Sequence, residues 1–248
     1  MSYEVSYEVS YEVSYETFIA APFGNWIKPI GCIPVTGTFT LHPQGNKIWS
    51  AIKSLRYSTK HKGWMNNMGL PNPGVKVGLH KHIRGEVLSI AEIARGDFKR
   101  LHDIIPTEQN LELNLSCPNI RNLPWESTEI FARTKERRKW CICKVSPTVT
   151  PEDLEFLITK LGFTQIHASN TLALPGSGGL SGRTLIPYTL DIIQLIKEEW
   201  PEVTVIAGGG IKNWQDIYQY LSKGADHVSL GTVCFNPFAL RKILKKGK

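Results

Sequence analysis

No stretch of the 248-residue chain approaches the roughly 18 consecutive apolar residues of a membrane-spanning helix, and no basic-then-apolar leader opens it. Neither a span nor a secretion signal is therefore expected. Cysteine is scarce, at five residues (32, 117, 141, 143 and 234), and an odd number without a leader points to reduced thiols and a cytoplasmic setting. Cys141 and Cys143 alternate along an apparent strand with no partners at metal-ligand spacing, so buried thiols are expected and no metal site. Acidic residues are sparse beyond the first 17 positions. Four of the 22 lie within those first 17, and the remaining body carries 29 basic residues against 18 acidic ones, a formal charge of +11. A body of that sign suits nucleic acid, an anionic ligand, or lysine-rich helix faces. Its basic residues fall in scattered clusters (53–62, 133–139 and 241–248) without interleaved aromatics, which favours a solvated surface. With 42% hydrophobic and 21% charged residues, the composition excludes collagen-like, largely disordered and multi-span membrane proteins.

What is present begins with a repeat. Residues 2–17 read SYEVSYEVSYEVSYET, with Tyr or Val at every odd position from Tyr3 to Tyr15 and Ser or Glu between them. The alternation is that of an amphipathic strand, but the segment is longer than most strands. It reads as an appended tail over 1–17, disordered or loosely extended, ahead of a domain over 18–248.

From Thr17 onward short apolar runs alternate with helical patterns. Strands are expected at Thr17–Ala21, Cys32–Thr38, Glu86–Ala91, Leu111–Leu115, Cys141–Val145, Thr164–Ala168, Val203–Ala207 and His227–Leu230. Amphipathic segments lie at Ile93–Ile104, Pro151–Leu161, Ile186–Glu199, Trp214–Lys223 and Pro237–Lys246, with Pro151 and Gly162 bracketing the second. Eight strands with intervening helices predict an α/β fold of the TIM (β/α)8 barrel type. The connection after the first strand has room for one helical turn at most, and residues 39–85 show no long periodicity and read as a functional loop.

In such a barrel, chemistry gathers at the C-terminal strand ends. The fourth strand runs into Asn114-Leu115-Ser116-Cys117-Pro118-Asn119, where a cysteine between carboxamides can be a nucleophile or base, or a buried thiol in an Asx-type turn. Lys144 interrupts the apolar fifth strand and must find an anion or reach solvent. Ser169-Asn170-Thr171 follows the sixth strand, and Gly178 to Arg183 reads as a flexible loop after it. Gly208-Gly209-Gly210 and Gly231-Thr232 end the last two strands, where exposed backbone N–H groups favour a phosphate-bearing cofactor.

Taken in order, the motifs at 67–72 (NMGLPN), 114–119 (NLSCPN), 169–171 (SNT), 178–183 (GGLSGR), 208–211 (GGGI) and 230–232 (LGT), with the lysine strand between them, resemble those of dihydroorotate dehydrogenases from about residue 18 onward. The resemblance implies an FMN-binding barrel that oxidises dihydroorotate to orotate in de novo pyrimidine biosynthesis. It makes Cys117 the base for the C5 proton, with hydride passing from C6 to the flavin. Asn67, Met68, Gly69, Leu70, Asn114, Asn119, Asn170 and Thr171 would hold the substrate. Ala20, Ala21, Thr38, Asn114, Lys144, Ser181, Gly182, Gly209, Gly210, Gly231 and Thr232 would hold FMN. The lysine that the family carries near the end of its first or second strand has no counterpart in 21–25 or 35–38, although Lys28 lies nearby. Expected partners are dihydroorotate and orotate and an unidentified electron acceptor, with a homodimer as the candidate assembly and no nucleic acid. Two other readings use the same residues. One is a degenerate barrel that binds flavin or phosphate without turnover. The other is a flavoenzyme like the tRNA dihydrouridine synthases, whose RNA would meet the basic body.

Overall fold

The computed structural model describes residues 14–45, 54–67, 69–115, 125–174 and 178–246. In chain order the strands are β1 (Thr17–Ile19), β2 (Cys32–Phe39), β3 (Arg56–Ser58), β4 (Gly63–Asn66), β5 (Val87–Ile90), β6 (Leu111–Asn114), β7 (Cys141–Lys144), β8 (Gln165–Ala168), β9 (Leu172–Leu174), β10 (Gly178–Gly182), β11 (Thr204–Gly208) and β12 (His227–Leu230). Parallel pairing in the order β1-β12-β11-β8-β7-β6-β5-β2 closes a barrel, sealed where Thr17 lies beside both Val228 and Cys32. Every strand expected for the barrel takes part in it. Most are trimmed by a residue or two at an end, where a chain leaving the sheet loses its ladder bonds.

The helices follow strands in sequence: α1 (Val75–Lys81), α2 (Asp97–Ile104), α3 (Glu129–Ala132), α4 (Pro151–Glu155), α5 (Ile186–Glu199), α6 (Trp214–Ser222) and, after the last strand, α7 (Pro237–Lys246). In α5 the buried residues Ile186, Thr189, Ile192, Ile193 and Ile196 form one stripe at helical spacing. Capping boxes start α4, from Thr150 and Asp153, and α6, from Asn213 and Asp216. The connection after β1 holds a single 3₁₀ turn, Phe23–Asn25. Tyr15 stacks near Trp214, and the Glu16 backbone N–H donates to His227 Nδ1, so the last copy of the repeat already touches the barrel. Residues 1–13 lie outside the described residues.

Two segments read as loops have a different form. β3, β4, β10 and β9 build a separate antiparallel sheet in that order, with Gly182 opposite Gly63. A Cβ on Gly63 would stand 2.5 Å from the Ser181 carbonyl oxygen, so the glycine content that suggests a loop is what lets these strands approach. Strands of three to five residues also leave too little alternation to recognise.

The period-2 alternation of the barrel strands sorts their side chains into two sets. Leu111, Leu113, Cys141, Cys143, Ile166, Ala168, Val205 and Ala207 belong to the large cluster shared with the helices. The opposite parity faces the barrel axis. There Phe18, Val35, Val87, Trp140, Ile142 and Ile206 form an apolar plug. One step further along the strands the same face carries Ser89, Glu112, Lys144, His167 and Ser229, all buried. The barrel is thus apolar at its base and polar beneath its mouth. Phe163 sits fully buried in the outer cluster, just past the turn that closes the α4 segment. Phe163→Ala is expected to cost about 3–5 kcal/mol of unfolding free energy, read as a lowered urea midpoint.

Candidate active site

A cavity of about 1160 Å³ opens at the C-terminal strand ends. Ala20, Ala21, Thr38, Asn114, Lys144, Asn170, Thr171, Gly209, Gly210, Gly231 and Thr232 line it from the barrel, and Ser181 and Gly182 line it from the small sheet. Gly69 and Leu70 line it from the segment after β4. Asn67 is exposed and stands outside the lining, its backbone N–H donating to Ser54 Oγ, whereas Asn66 lines the cavity. Met68, Cys117 and Asn119 lie outside the described residues. Phe235 stands between Phe23 and Trp64 at one wall, edge-on to the first and tilted to the second, with both centroid distances 4.9 Å. Lys28 lines the cavity edge and pairs with Glu86.

The floor is built around Glu112, which sequence reading passed over. Its side chain is buried, with Oε2 2.7 Å from His167 Nδ1 and Oε1 2.9 Å from Ser89 Oγ and 3.8 Å from Lys144 Nζ. Burial by itself would push the carboxyl up. The Lys144 charge, and then the hydrogen bonds from His167 and Ser89, outweigh that and hold it at about 2. Glu112 is therefore ionised and accepts from both partners. Burial, and then Lys144, push His167 below its ordinary value against the pull of Glu112, so the imidazole is neutral with its proton on Nδ1. Its Nε2 faces Gly208, where a Cβ would come within 3.0 Å.

The anion required by a lysine inside a strand is thus Glu112, on the neighbouring strand and in register two residues back. A signal was available: Glu112 precedes Asn114 by two residues and shares its face. Cys141 and Cys143 behave as buried strand residues, desolvation pushing Cys143 well up and Cys141 up to about 11. Burial likewise pushes Cys234, in the 3₁₀ turn after β12, up to about 12. Among the described residues no group of three or more His, Cys, Asp or Glu could hold a metal ion.

The glycine turns have two physical roles. Gly210 has φ +76°, and a Cβ there would stand 2.8 Å from the Arg183 Cα, so this turn packs backbone to backbone against the end of β10. Gly231 meets nothing within 4 Å and faces open space. Between these turns the Ser229 hydroxyl is buried in the cavity wall without a hydrogen-bond partner among the described residues. No helix among the described residues is long and apolar enough to cross a membrane.

A closed eight-stranded β/α barrel with polar side chains converging on one cavity at its strand ends defines the enzyme class that works at that face. The family described as Dihydroorotate dehydrogenase matches residues 30–247, and the chain belongs to that family, whose members are oxidoreductases acting on CH–CH groups. It is 29% identical over 236 residues to the "Dihydroorotate dehydrogenase B (NAD(+)), catalytic subunit" of Staphylococcus carnosus, covering 79% of this chain and 77% of that protein. The protein of the same description from Thermotoga maritima is 27% identical over 244 residues, covering 87% and 88%. A crystal structure of DHODH in complex with ferulenol from Eimeria tenella superposes with a TM-score of 0.73 at 20% identity, over 93% of this chain and 79% of that one, and shares the fold.

Glu112→Gln leaves Lys144 buried beside a neutral partner and should lower the unfolding free energy at pH 7 by about 3 kcal/mol in chemical denaturation. In the native protein, His167 lies below its ordinary 6.5, so its contribution is complete above pH 6.5 and declines as pH falls beneath it. Glu112 lies at about 2 against an ordinary 4.5, so its contribution is complete above pH 4.5 and is lost as pH falls towards 2. Denaturation midpoints measured against pH should show both declines, the lower one vanishing in Glu112→Gln.

Proposed function

We propose that the cavity binds FMN and that the chain oxidises dihydroorotate to orotate, with Cys117 as the base. The observation that carries this reading is one hydrogen-bonded run at the cavity floor. Asn170 Nδ2 donates to Asn114 Oδ1 at 2.9 Å, and Asn114 Nδ2 donates to Thr38 Oγ1 at 3.1 Å, above the buried Lys144. Carboxamides of this kind match the carbonyls and ring N–H groups of a pyrimidine, and a buried cation favours an anionic ligand.

The wall fits the proposed cofactor. The unpartnered Ser229 hydroxyl offers a hydrogen bond, and Gly231 leaves open the space that a side chain would fill. Ala20, Ala21, Thr38, Asn114 and Lys144 would hold the flavin ring system. Ser181, Gly182, Gly209, Gly210, Gly231 and Thr232 would hold the phosphate through backbone N–H groups and hydroxyls. When bound, FMN supplies the acceptor for the hydride that leaves C6.

The remaining chemistry is the chain's own. Asn114, Asn170 and Thr171, with Gly69 and Leu70 from the segment after β4 and with Met68 and Asn119 from the sequence match, orient the pyrimidine and its carboxylate. Cys117 takes the C5 proton, and the aromatic wall of Phe23, Trp64 and Phe235 limits access of water. Cytoplasmic dihydroorotate and orotate are the expected small-molecule partners.

The test is the visible spectrum of the purified protein before and after anaerobic addition of dihydroorotate. A yellow protein that bleaches is expected. A colourless protein that takes up no FMN would overturn the cofactor, and a yellow one that does not bleach would overturn the substrate. Cys117→Ala should slow bleaching by about 10²–10⁴-fold while the colour is retained.

A further inference from the structure

The hydrogen bonds beneath the cavity have a direction, and Glu112 sets it. An ionised carboxylate only accepts, so the Ser89 hydroxyl spends its single proton on Glu112 Oε1 at 2.9 Å. Ser89 Oγ and Thr38 Oγ1 are 2.9 Å apart, and with the Ser89 proton committed, Thr38 is the donor between them. Thr38 has then no proton left for Asn114. The contact at 3.1 Å must be made by the Asn114 NH₂, which turns the Asn114 carbonyl towards Asn170, whose NH₂ donates to it at 2.9 Å. The Asn170 carbonyl in turn accepts the Thr171 backbone N–H at 2.9 Å. Each link leaves the next only one choice.

We infer that Glu112 is a positioning residue for the ligand: through Ser89 and Thr38 it locks the Asn114 and Asn170 amides so that the cavity floor offers Asn114 N–H, not C=O, to a bound molecule. The inference rests on the proposed function in naming orotate as that molecule. An amide able to flip would serve a donor edge and an acceptor edge alike. One held by a buried carboxylate discriminates in favour of a carbonyl or carboxylate oxygen. Glu112 touches neither the ligand nor its reacting atoms. The substrate face and the buried Lys144 and His167 pair are thereby tied to one charge.

Ser89→Ala is the cleanest cut, because it removes the relay hydroxyl while leaving Glu112 its contacts to His167 and Lys144. Orotate affinity of the FMN-loaded protein, read from the flavin difference spectrum and normalised to FMN content, should weaken about tenfold, while loss of one buried hydroxyl lowers the thermal midpoint by only a few degrees. Thr38→Val cuts the same relay at the next link, so the double variant should bind orotate no more weakly than the weaker single variant. A Ser89→Ala affinity within about twofold of the unmodified protein, or penalties that multiply in the double variant, would overturn the relay. A second readout needs no ligand. In protein labelled with ¹⁵N at asparagine side chains, the Asn114 NH₂ resonances should shift and lose exchange protection in Ser89→Ala, and unchanged resonances would overturn the orientation argument. Should the unmodified holoprotein fail to bind orotate, the proposed substrate falls and these resonances alone decide the relay.

Discussion

A carboxylate without access to water governs the upper half of this barrel. Glu112 cannot be solvated where it stands, so the structure surrounds it with Ser89 and Lys144 from the strands on either side and His167 from β8, one strand beyond β7. Each partner is thereby constrained in turn. Lys144 is held at its strand end, His167 adopts one tautomer, and the Ser89 hydroxyl points one way. Removing one member of such a set leaves the others buried and uncompensated, so its residues are coupled far more tightly than their hydrogen-bond count suggests. The apolar plug below, from Phe18 to Ile206, supplies the low-polarity surroundings in which these interactions are strong.

The site inherits its geometry from that floor. Asn114 ends β6 and Asn170 follows β8 by two residues, and they meet because parallel register places Asn114 opposite Lys144, and Lys144 opposite His167. The opposite wall is made differently, by backbone. Gly210 presses on the segment at Arg183, and Arg183 Nη1, which donates to both oxygens of Asp216 at 2.8 and 2.9 Å, pins that segment to the start of α6. The small antiparallel sheet thus stands against the barrel rim and brings Trp64, Asn66 and Ser181 to the same cavity. Each of the motifs, spread across the chain, contributes residues to that cavity, although Asn67 stands outside it.

Much of this was legible along the chain, and the reasons differ by element. The barrel strands announce themselves as apolar runs because both faces of a parallel barrel strand are buried. Ile186–Glu199 reads as a helix at its true bounds because its buried stripe spans about three turns. The small sheet was not legible: Arg56–Ser58 is too short for a period, and Gly178–Gly182 resembles a loop in composition. Lys144 advertised the need for an anion, but nothing local named Glu112. Ser89, His167 and Ser229 each read as one polar residue in an apolar run. Their common face appears only when the strands are set side by side. Cys117, the residue on which the sequence placed the chemistry, lies outside the described residues, so its role still stands on the order of the motifs.

By itself the sequence determined the number of βα units, the polar and glycine-bearing strand ends, and the family. These are local properties, written in the periodicity and composition of short segments. Tertiary structure alone decided which buried groups answer one another. Lys144 meets Glu112 across a register, the Asn114 amide is oriented by a carboxylate on its own strand through hydroxyls on two others, and Gly210 is required by an arginine backbone 27 positions earlier. Charge compensation and close packing act through space, and only barrel closure brings these distant positions within their short range.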